Sequence, residues 1–338
     1  MKEIHRFVLA ALALQMACVT ILTAEPNNPF IGRWALTLED DFIGWLGVTQ
    51  EAGYLDARLL WKWGSVNPVA SVYMIGDTLY ITRLQEVNRK DEQDEVVRTH
   101  TLTETFVATV SGDELQLRFS SPNMNGQGLT RTQATGKRIA PLPPKPDLSK
   151  VKYGRSVKLL GRNSLKGWKL TDPKLVNGWR VEDGVLINHP EQHEGEDHID
   201  YGNLRTVKEY EDFNLTLEVN IGKDQNSGVY LRGIYEVQVL DSYDKPLDRH
   251  NLGSIYSRMA PSVSAEKPAG QWQTMDITLL DRHVTVQLNG TTIIDNEPLL
   301  GCTGGALWSD EFRPGPIFLQ GDHTGIKYRK IVLRPIKK

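Results

Sequence analysis

Residues 226–243 read NSGVYLRGIYEVQVLDSY. Val229, Leu231, Tyr235, Val237 and Val239 alternate with their neighbours, the period-two pattern of a β-strand with one buried face. The neighbours include Arg232, Glu236 and Gln238, and the run stops at Asp241. A cation, an anion and an amide on one short hairpin meet either water or a polar ligand. Tyr230, Arg232, Glu236 and Gln238 have one parity, and the turn at Gly233-Ile234 decides whether they share a face. An odd-length loop keeps them together; a two-residue loop puts Arg232 opposite.

The same grammar continues on both sides. GWRVEDGVLIN (178–188), DFNLTLEVNI (212–221), QTMDITLLDRHVTVQLNGTTIID (273–295), IFLQGD (317–322) and IKYRKIVLRPI (326–336) are strand candidates. Asp281-Arg282 and Asn289-Gly290 sit where tight hairpin turns belong. No segment holds a helical period of useful length. Many short strands predict a two-sheet sandwich, whose curved face makes a groove for an extended polar ligand.

Residues 139–152 carry Pro141, Pro143, Pro144 and Pro146 with no periodicity, a stiff linker that places the domain boundary. Before it, over 25–138, runs such as GRWALTLE, GWLGVTQ and LDARLLWKW recur between turns, with Gly76-Asp77 and Gly112-Asp113 marking hairpins. Sequential hairpins predict an up-and-down meander closing into a small barrel. GRW followed by GWLGV resembles a lipocalin-type calycin. Trp45, Trp61 and Trp63 line a cavity there or fill the barrel.

The chain has 338 residues, 40% hydrophobic and 24% charged, with a formal net charge of −3. That is enough apolar material for two packed domains, with no basic footprint for nucleic acid. Lys2 and Arg6 precede the apolar run FVLAALALQMACVTILT, and small residues follow at Thr23-Ala24. This is the layout of a secretory signal over residues 1–24, predicting export to the periplasm or beyond; a retained anchor is the alternative. Nothing later is long and apolar enough to span a bilayer as a helix. Cleavage removes Cys18 and leaves Cys302 alone, a small buried apolar residue rather than a nucleophile.

The succession LLGRNSLKGWKL, GWRVEDGVLIN, NLRTVKEYEDFNLTLEVN, NSGVYLRG, YEVQVLD, QWQTMDITL, VQLNGTTIID and FLQGDHTGIKYRKIVLRPI, from about residue 155 to 337, resembles the 3-keto-disaccharide hydrolase domain. The resemblance implies a jelly-roll sandwich similar to concanavalin-type lectins and glucanases. It also implies activity on glycosides oxidised to a ketone at carbon 3 of the sugar. Such a ketone acidifies the hydrogen on carbon 2, so the glycosidic oxygen leaves carbon 1 by elimination and water adds afterwards. The reaction needs a base near carbon 2, a group for the enolate oxygen and an acid for the leaving group. It does not need two carboxylates at the fixed separation of ordinary glycosidases.

Under that resemblance Glu236 is the acid or base, Arg232 meets the keto or enolate oxygen, and Gln238 holds hydroxyls. Asp241 either caps a turn or holds a sugar hydroxyl. His323 rides on the tip of the Gly321-Asp322 turn as a proton-moving or substrate-contacting residue, the alternative being a loop histidine bonded to backbone. Gln320 points toward the ligand, and Tyr256 offers a stacking face. Trp272, beside Met275 and Ile277, belongs to the core. In HPEQHEGEDHID (189–200), His189, His193 and His198 stand among acids, either a solvated loop or ligands for calcium or a transition ion. The sequence thus predicts an exported carbohydrate enzyme cleaving 3-keto-glycosides. A non-catalytic carbohydrate-binding module and a conventional glycosidase on unoxidised sugars are the alternatives.

Overall fold

The computed structural model describes residues 28–192 and 197–337, so the leader-like residues 1–24 and the stretch 193–196 lie outside it. The architecture is all-β, with one short 3-10 turn, Leu148–Lys150, as the helical element of the described residues. The first half is a nine-stranded antiparallel meander. Its sheet order is Asn67–Pro68, Leu55–Trp61, Ile43–Gln50, Gly32–Leu38, Leu129–Ile139, Glu114–Pro122, Val96–Ser111, Thr78–Lys90 and Ser71–Ile75. The sheet curls into a half-barrel around Trp34, Leu36, Leu59, Trp61, Phe106 and Leu117.

The second half is a sandwich of two antiparallel sheets. One runs in the order Trp179–Glu182, Val185–Asn188, Ile326–Lys337, Phe213–Asn220, Trp272–Leu280, His283–Leu288 and Thr291–Pro298. The other has five strands, ordered Trp168–Leu170, Leu204–Thr206, Phe318–Leu319, Asn226–Leu231 and Tyr235–Leu240. Both predicted tight turns form, with positive φ at Asp281 and Arg282 (47° and 57°) and at Asn289 and Gly290 (52° and 83°). Val229, Leu231, Tyr235, Val237 and Val239 are fully buried in the core between the sheets. Their alternation is what packs the five-stranded sheet on its partner.

The halves are not independent beads. Ile43, Trp45, Leu60, Val66 and Ile139 of the first half join the apolar core of the second. Residues 140–147 form no regular element. Their carbonyls are held by the sandwich, Pro141 by Arg282 Nη2 at 2.6 Å and Pro146 by Asn296 Nδ2 at 2.9 Å. Trp61 fills the half-barrel against Phe106 and Phe119, Trp45 enters the seam, and Trp63 stays 62% exposed. Trp272 departs from expectation: it opens its strand half-buried, with the Arg329 guanidinium 4.0 Å above its ring, because the strand end reaches past the core.

Candidate active site

The hairpin of the opening stretch pairs Leu231 with Tyr235, Tyr230 with Glu236 and Gly228 with Gln238. Three residues, Arg232 to Ile234, make the connection, with φ of 56° at Arg232 and 69° at Gly233. The odd length puts Tyr230, Glu236 and Gln238 on one face, opposite the core. The neighbouring register extends that face: Phe318 pairs with Tyr230, and Arg205 with Phe318. One row of the sheet is therefore Arg205, Phe318, Tyr230 and Glu236. In the next row the Gln320 amide bonds the Gly228 carbonyl at 3.0 Å, so Gln320 and Gln238 flank Gly228.

Glu236 is 4% exposed. Its carboxyl folds over Gly228, where an added Cβ would collide with Oε1. Tyr230 stacks on Phe318, centroids 4.3 Å apart, an arrangement worth about 0.5–1.5 kcal/mol beyond area burial. The Tyr230 hydroxyl lies 2.9 Å from Glu236 Oε2 and 2.8 Å from the Gly304 carbonyl. One hydroxyl proton cannot serve two acceptors. A protonated Glu236 resolves the conflict by donating to Tyr230, which donates to Gly304. The electrostatics agree: burial lifts Glu236 to about 8, the Tyr230 hydroxyl opposing and the Asp322 charge adding to the lift. At neutral pH the acid form is therefore the favoured one.

A loop, Thr303–Leu307, roofs this pair. Thr303 N bonds the Ile234 carbonyl, Leu307 N bonds the Gly233 carbonyl, and Glu236 N donates to Thr303 Oγ1 at 3.0 Å. Gly305 at φ 74° lies against the Tyr230 hydroxyl, where a Cβ would not fit. Just past Gln320 in the chain stands a half-exposed pair, His323 Nδ1 at 2.7 Å from Asp322 Oδ1. Asn203 Nδ2 bonds the other Asp322 oxygen at 3.3 Å. The Asp322 hydrogen bond raises His323 above its usual range, outweighing burial. Burial pushes Asp322 up, but the His323 and Asn203 bonds outweigh it and hold the carboxylate below its usual range.

The structure thus brings Glu236, Gln238 and Gln320 to one face, and His323 joins them only through Asp322, whose charge reaches Glu236. Tyr256 borders them, its amide bonded to the Glu236 carbonyl at 3.0 Å and its ring edge-on to His250. Gln238, 3% exposed, accepts the Val239 amide at its Oε1 at 3.0 Å. Arg232 goes elsewhere: as part of the connection rather than the strand, it turns to the Glu311 and Arg313 carbonyls through Nη2 and Nε, and lines a small recess with Pro143, Arg282 and Phe312. Asp241, of opposite parity to Glu236, follows the strand end and bonds the adjoining loops. Its carboxylate accepts the Asp224 amide at 3.0 Å and its carbonyl accepts Lys245 Nζ.

Tyr230, Asp322 and Asn203 make hydrogen bonds beside these residues that the sequence did not foretell. Asp322 had a signal, standing next to His323; Asn203 had none. Cys302 is fully buried with its thiol pushed up to about 12 by burial, which fits a packing role. Of the histidine-rich loop, His189 pairs with Glu191 and His198 with Asp200, while His193, Glu194 and Glu196 lie outside the described residues.

Residues 156–334 match the model of one family, the 3-keto-alpha-glucoside-1,2-lyase-like domain. The chain belongs to that family. The match covers nearly all of the sandwich, and every residue named at the site lies within it. Two Parabacteroides distasonis proteins assigned provisionally to the glycosyl hydrolases are similar to it in structure. One is 26% identical over 59% of this chain and 94% of its own, with a TM-score of 0.44. The other is 20% identical over 54% and 94%, with a TM-score of 0.42. A non-specific endo-beta-1,3(4)-glucanase is 12% identical over 59% and 94%, with a TM-score of 0.35. No curated protein matches the chain.

Proposed function

We propose that the protein cleaves 3-keto-glycosides by elimination followed by hydration, with His323 as base and Glu236 as acid. The observation that supports this reading is a buried carboxyl whose pKa burial lifts to about 8, within reach of the charge of a half-exposed Asp322–His323 pair. Environments that push two titratable groups apart assign an acid and a base. Asp322 fixes His323 through Nδ1, which leaves Nε2 for the substrate, and stabilises the imidazolium that forms.

In the proposed sequence neutral His323 takes the carbon 2 proton at Nε2, and the electron pair enters the enolate of the carbon 3 ketone. The enolate collapses to a carbon 1–carbon 2 double bond as the carbon 1–oxygen bond breaks. Glu236 gives its proton to the departing oxygen, and Tyr230 then donates to the carboxylate left behind. Gln238 and Gln320 flank the carboxyl and hold sugar hydroxyls. Water adds at carbon 1 of the enone, its proton returning to Glu236, while His323 returns its own to carbon 2. A carboxyl lifted to about 8 by burial favours an enzyme over a carbohydrate-binding module. The leader-like residues 1–24 support placing this reaction outside the cytoplasm.

Hydrogen exchange at carbon 2 tests the mechanism. In deuterated water, Glu236→Gln should still exchange the carbon 2 hydrogen of a 3-keto-glucoside while releasing little aglycone, and His323→Gln should do neither. Aglycone release with no carbon 2 exchange and no isotope effect from carbon 2 deuteration would point to direct hydrolysis instead.

A further inference from the structure

A cavity of about 500 Å3 lies in the seam between half-barrel and sandwich, away from the Glu236 side chain. Its floor is apolar, with Trp45, Val48 and Val66 from the first half facing Ile255, Met259 and Leu299 from the second. Four arginines line it, Arg33, Arg58, Arg249 and Arg258, against two acids, Glu51 and Asp56. The acids are engaged locally: Glu51 accepts from Thr49 Oγ1 at 2.7 Å, and Asp56 accepts the Ala57 amide at 2.8 Å.

Arg258 spends Nε and Nη2 on the Cys302 carbonyl, at 2.9 and 2.6 Å, and lies 4.3 Å over the Trp45 ring. Arg249 reaches the Val66 carbonyl and Asn67 Oδ1, both at 3.3 Å. Neither forms an ion pair with a carboxylate among the described residues. Trp45 is 4% exposed with its Nε1 lacking a hydrogen-bond partner, whereas Arg33 Nη1 faces Glu311 Oε2 at 3.8 Å. A cavity with more arginines than acids, a spare indole donor and an apolar floor has the chemistry of an amphipathic anion's site.

We propose that this seam binds a small carboxylate with an apolar or aromatic body, the body on the Trp45–Ile255–Met259 floor and the carboxylate between Arg249 and Arg258. The site backs directly onto the catalytic strand. Ile255 and Arg258 line the cavity, whereas Tyr256 between them bonds the Glu236 carbonyl. Arg258 also holds Cys302, the residue from which the roof over Glu236 begins. The inference does not rest on Glu236 being the acid.

Calorimetric titration of the full chain with naphthoate tests it. One saturable site per chain is expected. Arg249→Gln and Arg258→Gln should each weaken it about tenfold or more, as loss of a charge-assisted contact does. Thr49→Trp, an exposed rim position in the cavity wall that leaves the core untouched, should abolish binding. Naphthylmethanol, with the same body and no charge, should bind at least tenfold more weakly, and Glu236→Gln should leave naphthoate affinity unchanged. No saturable binding at millimolar naphthoate, or binding that survives Thr49→Trp and Arg249→Gln unaltered, overturns the site. Equal affinity for naphthylmethanol overturns the anionic class.

Discussion

Glu236 and Tyr230 face each other across a single rung of the sheet, with the phenol oxygen 2.9 Å from the carboxyl and both side chains under the Gly304–Gly305 roof. The pair has too few protons unless Glu236 carries one. From that one relationship follow a catalytic assignment, a pH dependence and a stability signature.

Removing the acid while keeping its shape should leave binding and stop turnover. Glu236→Gln is expected to lower kcat on a 3-keto-glucoside by about 10²–10⁴-fold, the usual worth of a positioned proton donor. KM should change little. A kcat within a few-fold of the parent, measured on a correctly folded sample, removes Glu236 from the chemistry.

The pH dependence of stability has a definite sign. The folded state holds the Glu236 proton up to about pH 8, whereas an unfolded glutamate releases it near 4.3. Its stabilising contribution is full below the unfolded value and is lost as pH rises through the folded one. Between those limits unfolding releases a proton, and stability falls by about 1.4 kcal/mol per pH unit from this group alone. Urea unfolding of the parent and of Glu236→Gln should converge at acid pH and diverge toward pH 8, the variant being the more stable. Parallel curves would show that Glu236 ionises normally.

The rate should be bell-shaped in pH. The rising limb belongs to His323, above its ordinary range, and the falling limb to Glu236 near 8. Asp322→Asn replaces the charged acceptor that raises His323 with a neutral one and removes the charge that helps raise Glu236. Both limbs should therefore move to lower pH, with kcat reduced because the imidazole loses its orientation. Limbs that stay in place in a kcat/KM profile would separate Asp322 from the proton-moving groups.

Gly228 makes room for the Glu236 carboxyl. Gly228→Ala should displace that carboxyl and lower kcat by about 10²-fold, as a misplacement near 1 Å does. The strand register, set by buried neighbours, should survive, so circular dichroism should be unchanged. Full activity in the variant would mean that the carboxyl works from another position.

Arg232 should matter for stability and not for chemistry. Arg232→Met leaves the carbonyls of Glu311 and Arg313 short of a donor, at a cost of about 1–3 kcal/mol for buried groups left unsatisfied. Its kcat should match the parent below the melting transition. A large fall in kcat at unchanged melting temperature would return Arg232 to the substrate.

The strands and the sandwich were legible because alternation such as Val229, Leu231, Val237, Val239 is a local property with one outcome. Turn chemistry was equally legible at Asn289-Gly290, where positive φ is cheap. Parity placed Glu236 and Gln238 on one face, but it misplaced Arg232, because sequence does not reveal where a strand stops and its connection begins. The three-residue connection ended the strand at Leu231 and turned the guanidinium to the loop behind. Asn203 and the Gly304–Gly305 roof were out of reach for a different reason. They meet the site from far along the chain, and nothing local at either position marks the contact.

The central claim is most directly tested by following aglycone release from a chromogenic glucoside and its 3-keto derivative, side by side, with the parent protein and Glu236→Gln. The account predicts release from the 3-keto compound alone, and its near-complete loss in the variant. Equal release from the unoxidised glucoside, or undiminished release by Glu236→Gln, would contradict it.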